Sequence, residues 1–187
     1  MAETLKVLGI SGSLRKGSYN TALLHEASRL LPKGMTLEIH DLASIPLYNA
    51  DLDSENPPEA VKQLRDHIRA ADALLIATPE YNYSIPGVLK NAIDWASRPV
   101  KDSALNGKPL AIMGAGGLMG TSRAQSHLRQ VAVFTNMFPL NKPEIFVTYA
   151  SQKFDANGNL TDEVARQLIK DMLVALANWT HRLKAGV

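Results

Sequence analysis

The chain contains no cysteine among its 187 residues. This absence excludes disulfides, thiolate metal ligands and a cysteine nucleophile. A redox activity in such a chain would therefore depend on a bound cofactor to carry the electrons. The five histidines are scattered, without the spacing of a metal-binding motif such as H-E-x-x-H, so we expect no metal site.

Long apolar runs and an excess of one charge are lacking as well. No stretch is long enough to span a bilayer, and no basic segment followed by an apolar one marks a secretory signal. The 20 Lys and Arg residues nearly balance the 18 Asp and Glu residues, and neither sign forms a long block. These observations argue against nucleic acid or a membrane as a partner and favour a cytoplasmic protein.

The chain does have enough apolar sequence for a substantial core. Hydrophobic residues make up 45% of it and charged residues 20%, which is ordinary for a globular protein. At this length we expect a single domain over residues 1–187.

Short apolar runs alternate with segments of helical period. Five runs are typical of strands, at residues 6–8, 35–40, 73–77, 109–113 and 144–147. Of the helices between and after them, one is predicted to begin near Ser84, and the last is predicted to be capped by Thr161. This alternation predicts an α/β fold with a five-stranded parallel sheet in the order 2-1-3-4-5 and helices on both faces.

Three unusual loops follow the first, third and fourth of these strands. They are Gly9-Ile10-Ser11-Gly12-Ser13-Leu14-Arg15-Lys16-Gly17-Ser18-Tyr19-Asn20, the segment from Pro79 to Tyr83, and the segment from Gly114 to Gly120. In the predicted order these strands are neighbours, and such sheets bind ligands outside the carboxyl ends of their strands. We therefore expect one ligand to contact all three loops.

The first loop predicts a phosphate site. Its glycines let the backbone turn sharply, its serines supply hydroxyls, and the helix that follows presents unpaired N–H groups to an anion. Gly12 and Gly17 have Walker spacing, but Ser18-Tyr19 stands where Lys-Ser/Thr is required, and the dinucleotide fingerprint fails at Leu14. A single terminal phosphate, as in a mononucleotide, suits the loop, and a polar loop without a ligand is the alternative.

The other two loops suit a flat ring. Tyr81 and Tyr83 could lie against such a ring, and the third loop, which has almost no side chains, lets a ring approach the backbone. Phosphate at the first loop and a ring between the other two is the arrangement expected for FMN. The alternatives are packing roles for both tyrosines and a dinucleotide site at the third loop, whose G-x-G-x-x-G pattern fails at Met119.

A family resemblance extends over essentially the whole chain. It is carried by Gly12-Ser13-Leu14-Arg15-Lys16-Gly17-Ser18-Tyr19-Asn20, by Pro79-Glu80-Tyr81-Asn82-Tyr83-Ser84-Ile85-Pro86-Gly87 and by Leu89-Lys90-Asn91-Ala92-Ile93-Asp94-Trp95. These segments resemble the NAD(P)H-dependent FMN reductases, in particular the bacterial quinone and chromate reductases, which have a flavodoxin-like, three-layer fold. The sequence departs from them at Ser126, where relatives often have tyrosine, and at Ala115, where a serine can occur.

The resemblance implies which residues bind FMN. In the first loop they are Ser13, Leu14, Arg15, Ser18, Tyr19 and Asn20, with Ser13, Arg15, Ser18 and Asn20 on the phosphate. The ring would be contacted by Pro79, Glu80, Tyr81, Asn82 and Tyr83, and on its other side by Ala115, Gly116 and Gly117. Tyr83 and Arg123 are the expected substrate contacts, although a surface or interface ion pair is an alternative for Arg123. For Glu80 we favour a structural role over a catalytic one.

The resemblance also implies a two-step reaction. NAD(P)H passes a hydride to the flavin and leaves, and a small-molecule acceptor is then reduced in its place. Quinones, chromate, azo compounds, nitro compounds and free flavin are the implied acceptors, and no protein side chain is assigned a catalytic role. A homodimer or homotetramer is implied, with residues 87–97 and 98–108 as the contact face.

Two other functions remain open from the sequence. One is a flavodoxin-type electron carrier, which the calculated pI of about 8.8 disfavours because such carriers depend on acidic docking surfaces. The other is a non-catalytic regulator that keeps the fold and binds a different nucleotide.

Overall fold

A computed structural model describes residues 4–186, which form six β-strands and five α-helices. The strands are β1 (Leu5–Ser11), β2 (Met35–His40), β3 (Ala73–Ala77), β4 (Pro109–Ala115), β5 (Phe138–Pro139) and β6 (Ile145–Val147). The helices are α1 (Tyr19–Arg29), α2 (Glu59–Ala70), α3 (Gly87–Ala96), α4 (Ser122–Thr135) and α5 (Glu163–Lys184).

All strands belong to one parallel sheet in the order β2-β1-β3-β4-β5, which confirms the predicted order. The fifth position is shared by two short strands, because β6 also pairs with β4 beyond the end of β5. The sequence predicts β6, although one residue longer, and misses β5. A two-residue strand that contains Pro139 carries too little apolar alternation to be recognised.

Helices cover both faces of the sheet. In β3, Ala73, Leu75 and Ala77 pack with α1 and α5, whereas Leu74 and Ile76 pack with α2, α3 and α4. Every residue of β3 is buried as a result, which explains its continuous apolar sequence. The molecule is a three-layer α/β sandwich of the flavodoxin-like kind.

Two predicted helix starts are wrong, by about three residues at α3 and by one residue at α5. Helix α3 begins at Gly87 rather than near Ser84, because the backbone of Ser84 is paired with that of Tyr81 in a tight turn. Helix α5 is capped by Asp162 rather than Thr161: the Asp162 carboxylate accepts a hydrogen bond from the Ala165 N–H at 2.7 Å. A carboxylate at this position also interacts favourably with the helix dipole.

In the described part of the chain, no helix has the length and apolar character needed to cross a membrane. Residues 4–186 also contain no group of three or more His, Asp or Glu side chains that could hold a metal ion.

Candidate active site

The carboxyl ends of β1, β3 and β4 lie side by side. In the register of the sheet, Ser11 is opposite Ala77, and Ala77 is opposite Met113. Each of the three loops therefore leaves the sheet beside its neighbour, as the sequence predicts. Two backbone hydrogen bonds extend this alignment into the loops. The Gly12 N–H donates to the Ala77 carbonyl, and the Thr78 N–H donates to the Met113 carbonyl.

Serine hydroxyls hold the first loop in shape. The Ser18 hydroxyl caps α1 by accepting hydrogen bonds from the N–H groups of Asn20 and Thr21, at 3.2 and 3.3 Å. The Ser13 hydroxyl accepts the Arg15 N–H at 3.3 Å, and the Ser11 and Thr21 hydroxyls lie 2.8 Å apart. The hydroxyls of Ser13 and Ser18, which the sequence assigned to a ligand, therefore accept hydrogen bonds from the backbone of the loop itself.

Backbone donors remain free in the same loop. Within residues 12–20 of the described chain, four N–H groups have no hydrogen-bond partner, those of Leu14, Lys16, Gly17 and Tyr19. The guanidinium of Arg15 lies 5.5 Å from the centre of the Tyr19 ring, at the start of α1. Free N–H groups, a cation and the positive end of a helix dipole at one place form a suitable site for a phosphate.

The Asn20 carboxamide joins the first loop to the third. It is buried, donates to the Ala115 carbonyl at 3.1 Å and accepts the Ala115 N–H at 2.9 Å. Both contacts position the backbone of the site, and the direct phosphate contact of Asn20 stays a prediction.

The second loop is a tight turn with a strained backbone. Tyr81 and Ser84 exchange two backbone hydrogen bonds, of 3.0 and 2.9 Å. The two residues between them, Asn82 and Tyr83, have left-handed φ values of 51° and 64°. A left-handed tyrosine costs on the order of 1–3 kcal/mol, and such strain is found preferentially at ligand sites. As whole residues, Tyr81 and Tyr83 are 53% and 65% exposed.

Glu80 fastens this turn to the start of α4. Its carboxylate accepts the N–H groups of Arg123 and Ala124, at 2.9 and 3.2 Å, and pairs with the Arg123 guanidinium at 3.1 Å. The guanidinium in turn lies over the Tyr83 ring, 4.0 Å from its centre. The structure thus gives Glu80 the loop-fixing role that the sequence favoured.

Glycines in the third loop allow close packing. A Cβ on Gly114 would overlap the Thr121 hydroxyl and lie 2.5 Å from the Thr78 carbonyl oxygen, and a Cβ on Gly116 would overlap the Gly120 carbonyl oxygen. Gly117 has open space where a side chain would stand. The loop therefore packs tightly against the protein at Gly114 and Gly116 and presents bare backbone outward at Gly117, whereas Leu118 and Met119 expose their side chains.

Tyr149 also lies beside the third loop, a position that the sequence did not predict. It follows β6, has a left-handed φ of 48°, and its N–H donates to the Gly117 carbonyl at 3.0 Å. The residue is half exposed. The available signal was its position just after the fifth predicted strand, at the edge where the other loops converge.

Ser126 and Ala115, the two positions that depart from the family pattern, make only local or backbone contacts. Ser126 is exposed, and its hydroxyl donates to the Ser122 carbonyl within α4 at 2.9 Å. Ala115 is buried at the end of β4, where Asn20 contacts its backbone.

Comparison with known proteins decides the family. Residues 5–152 match the family model described as NADPH-dependent FMN reductase. The chain belongs to the NADPH-dependent FMN reductase family. Among its relatives, an NAD(P)H-dependent FMN reductase of Pseudomonas aeruginosa is 57% identical over 185 residues, which cover 98% of this chain and 100% of that protein.

Other FMN reductase relatives are similar over nearly their full length. An NAD(P)H:quinone oxidoreductase of Solanum tuberosum is 46% identical, with 96% of this chain and 95% of that protein covered. A solved flavoenzyme NAD(P)H:acceptor oxidoreductase of Paracoccus denitrificans superposes with a TM-score of 0.86 at 34% identity, covering 95% of this chain and 98% of that one.

As an FMN reductase, this protein is an oxidoreductase that uses FMN together with NAD(P)H. The geometry of the carboxyl edge accommodates such a cofactor. Free backbone donors are available for a phosphate, bare glycine backbone for a flat ring, and exposed tyrosines for stacking. Bound FMN supplies hydride chemistry, and the protein binds, orients and shields it.

Proposed function

We propose that this FMN reductase reduces quinones with NAD(P)H. In the overall reaction NAD(P)H, a proton and a quinone give NAD(P)⁺ and a hydroquinone, so two electrons and two protons reach the acceptor. The observation that carries the proposal is the pair of exposed tyrosine rings held by a rigid turn beside the glycine loop. Such an open aromatic surface favours planar acceptors, so azo compounds, nitro compounds and free flavin are secondary candidates. Chromate, a tetrahedral anion, gains nothing from stacking on the tyrosines and is the weakest candidate.

The proposal assigns the cofactor to the three loops. The phosphate end is held by Ser13, Leu14, Arg15, Ser18, Tyr19 and Asn20, with the free N–H groups of the first loop as donors. The ring is held by Pro79, Glu80, Tyr81, Asn82 and Tyr83 and, on its other side, by Ala115, Gly116 and Gly117. These residues bind and orient the cofactor, and none of them is required to donate or accept a proton.

The acceptor is assigned to the region of Tyr83 and Arg123. The Arg123 guanidinium already has a carboxylate partner in Glu80, so the pair is close to neutral. Arg123 therefore contributes mainly its flat surface and remaining N–H groups, which suits neutral acceptors such as quinones.

We also propose that residues 1–187 form a single domain, that the protein is cytoplasmic, where NAD(P)H is available, and that it is a homodimer or homotetramer.

Exposed apolar side chains support self-association through the 98–108 segment. Val100 is 60% exposed, and it lines the same small cavity as Phe134, which is 74% exposed. Phe134→Glu is expected to lower the molar mass measured by light scattering, and an unchanged mass would remove this face from the proposal.

The test of the function is an absorbance spectrum of the purified protein with added FMN, before and after anaerobic NADPH and then after a quinone. Flavin bands that bleach with NADPH and return with the quinone support the proposal. Bound flavin that neither NADPH nor NADH bleaches would indicate an electron carrier. Failure to bind FMN would favour a nucleotide-binding regulator and overturn the assignment of the three loops.

A further inference from the structure

Glu80 supplies a helix cap from outside the helix. Thr121, the residue that precedes α4, makes no side-chain capping bond. The N–H groups of Arg123 and Ala124 are instead accepted by one oxygen of the Glu80 carboxylate, which comes from the second loop 43 residues earlier. The side chain of Glu80 is 11% exposed, so its position is well defined. Loop and helix are therefore fixed relative to each other by one side chain.

The second oxygen of the same carboxylate orients Arg123. With Glu80 at 3.1 Å, the guanidinium is placed 4.0 Å from the centre of the Tyr83 ring. A flat cation at this distance covers one face of the ring. Tyr83 as a whole residue is nevertheless 65% exposed, and within the described residues Arg123 is the cation found over its ring, so the face opposite Arg123 is available to a ligand.

A second contact ties the turn to α4 without touching the ring. The Ser84 hydroxyl lies 3.0 Å from Nδ1 of His127, one turn further along the helix. The contact between Ser84 and His127 holds only the turn. The contacts of Glu80 also orient Arg123 and, through Arg123, the Tyr83 ring. The three residues Glu80, Arg123 and Tyr83 form one continuous chain of contacts, which we name the Glu80 relay.

We propose that Glu80 is a positioning residue for acceptor specificity: through Arg123 it fixes the Tyr83 ring so that the open face of the ring forms a wall against which a planar acceptor stacks. This inference rests on the proposed function, since it assumes that acceptors are reduced next to Tyr83. It goes beyond that function by predicting that the relay distinguishes planar acceptors from non-planar ones.

The first experiment compares Glu80→Gln with the wild-type holoenzyme. The amide can still accept the two backbone N–H groups but loses its ionic bond to Arg123. The KM for menadione, a planar quinone, is expected to rise about fivefold, the size of one lost stacking contact. The KM for ferricyanide, an octahedral trianion, is expected not to rise, because it does not stack and because Glu80→Gln leaves the positive charge of Arg123 uncompensated. An unchanged KM for menadione would overturn the inference.

A double-mutant cycle tests whether Glu80 acts through the ring. In a Tyr83→Ala background, Glu80→Gln should have no further effect on the KM for menadione, because the ring that it positions is gone. Independent, multiplying effects of the two substitutions would show that Glu80 acts in another way. Glu163→Gln is the matched control, since Glu163 is a first-turn helix carboxylate paired with an arginine three residues on, and should leave both KM values unchanged.

Two binding measurements are independent of turnover. The dissociation constant of 1-naphthol, a planar ring that cannot accept a hydride, should rise by a similar factor in calorimetry on the Glu80→Gln holoenzyme. The dissociation constant of FMN, from flavin fluorescence, should rise by a smaller factor than that of 1-naphthol, because Glu80 is one of several residues assigned to the flavin ring. An equal or larger rise would mean that Glu80 acts by holding the cofactor. If the wild-type holoenzyme oxidises NADPH but does not reduce menadione, the proposed function fails instead.

Discussion

The two edges of the sheet treat their polar groups in opposite ways. At the amino edge, the Asp72 carboxylate accepts the Lys6 N–H at 2.7 Å and pairs with Lys184, while the Lys108 ammonium donates to the carbonyl oxygens of Arg69 and Ala71. At the carboxyl edge, four N–H groups of the first loop have no partner within the described residues, and three tyrosine rings are exposed: those of Tyr81, Tyr83 and Tyr149.

Backbone strain is distributed in the same way. Of the four non-glycine residues with left-handed φ in the described chain, Asn82, Tyr83 and Tyr149 lie at the carboxyl edge. The fourth, Asn136, ends α4, where a left-handed asparagine is a common cap. The amino edge thus uses its polar groups for stability, whereas the carboxyl edge keeps donors, rings and strain available for a ligand.

The largest effect is expected from Gly114→Ala at the carboxyl edge. The added Cβ would meet the Thr121 hydroxyl and the Thr78 carbonyl, so the third loop must move. We expect the free energy of unfolding to fall by about 3 kcal/mol in urea titrations, as in overpacked cores. Affinity for FMN, measured by fluorescence, should fall by about tenfold or more. Gly117→Ala is the control, because its Cβ meets nothing within 4 Å and should leave stability nearly unchanged.

Ser18→Ala distinguishes a ligand-binding helix cap from a purely structural one. Loss of the two capping bonds at α1 should lower the free energy of unfolding by about 1 kcal/mol. Asp162→Ala removes a cap of similar size at α5 and should cost about as much. Only Ser18→Ala should also weaken FMN binding, and equal FMN affinities in the two variants would contradict the assignment of the first loop.

Lys108→Met tests the amino edge. The variant loses the hydrogen bonds to the end of α2, although it also relieves burial of the ammonium, which lowers the pKa of Lys108. We therefore expect a net loss of about 1 kcal/mol in the free energy of unfolding. The affinity for FMN should stay at the wild-type value, and a clear decrease would show that the two edges are not independent.

The smallest expected effect is on the pH dependence of stability, through His40 at the end of the edge strand β2. Burial and the nearby His67, whose Nδ1 lies 3.1 Å from that of His40, hold the pKa of His40 below 6.5, against the opposing effect of Glu38 and Asp41. The unfolded chain therefore binds this proton more readily, so the stability contribution is complete above pH 6.5 and decreases as the pH falls through the folded-state pKa.

His40→Gln should accordingly flatten the decrease in stability between about pH 7.5 and 5.5, measured by urea unfolding at each pH. A parallel slope in the wild type and His40→Gln would show that His40 does not titrate differently in the two states.

Local patterns predicted the sheet and the meeting of its loops. The run Ala73–Ala77 is apolar because both of its faces are covered, and the edge rule for parallel sheets then places the loops together. Contacts between distant residues were beyond such patterns. Asn20 and Ala115 are 95 residues apart, and Glu80 and Arg123 are 43 apart, so neither contact has a spacing that the sequence could reveal.

The cap that Glu80 provides to α4 also gives the site a built-in reporter. The amide protons of Arg123 and Ala124 are protected by a carboxylate from another segment rather than by their own helix. Their exchange with deuterium should therefore follow the opening of the second loop, not the fraying of the helix end. Two amides in α4 would in this way record how often the ring-bearing turn leaves its place, and how far a bound ligand slows it.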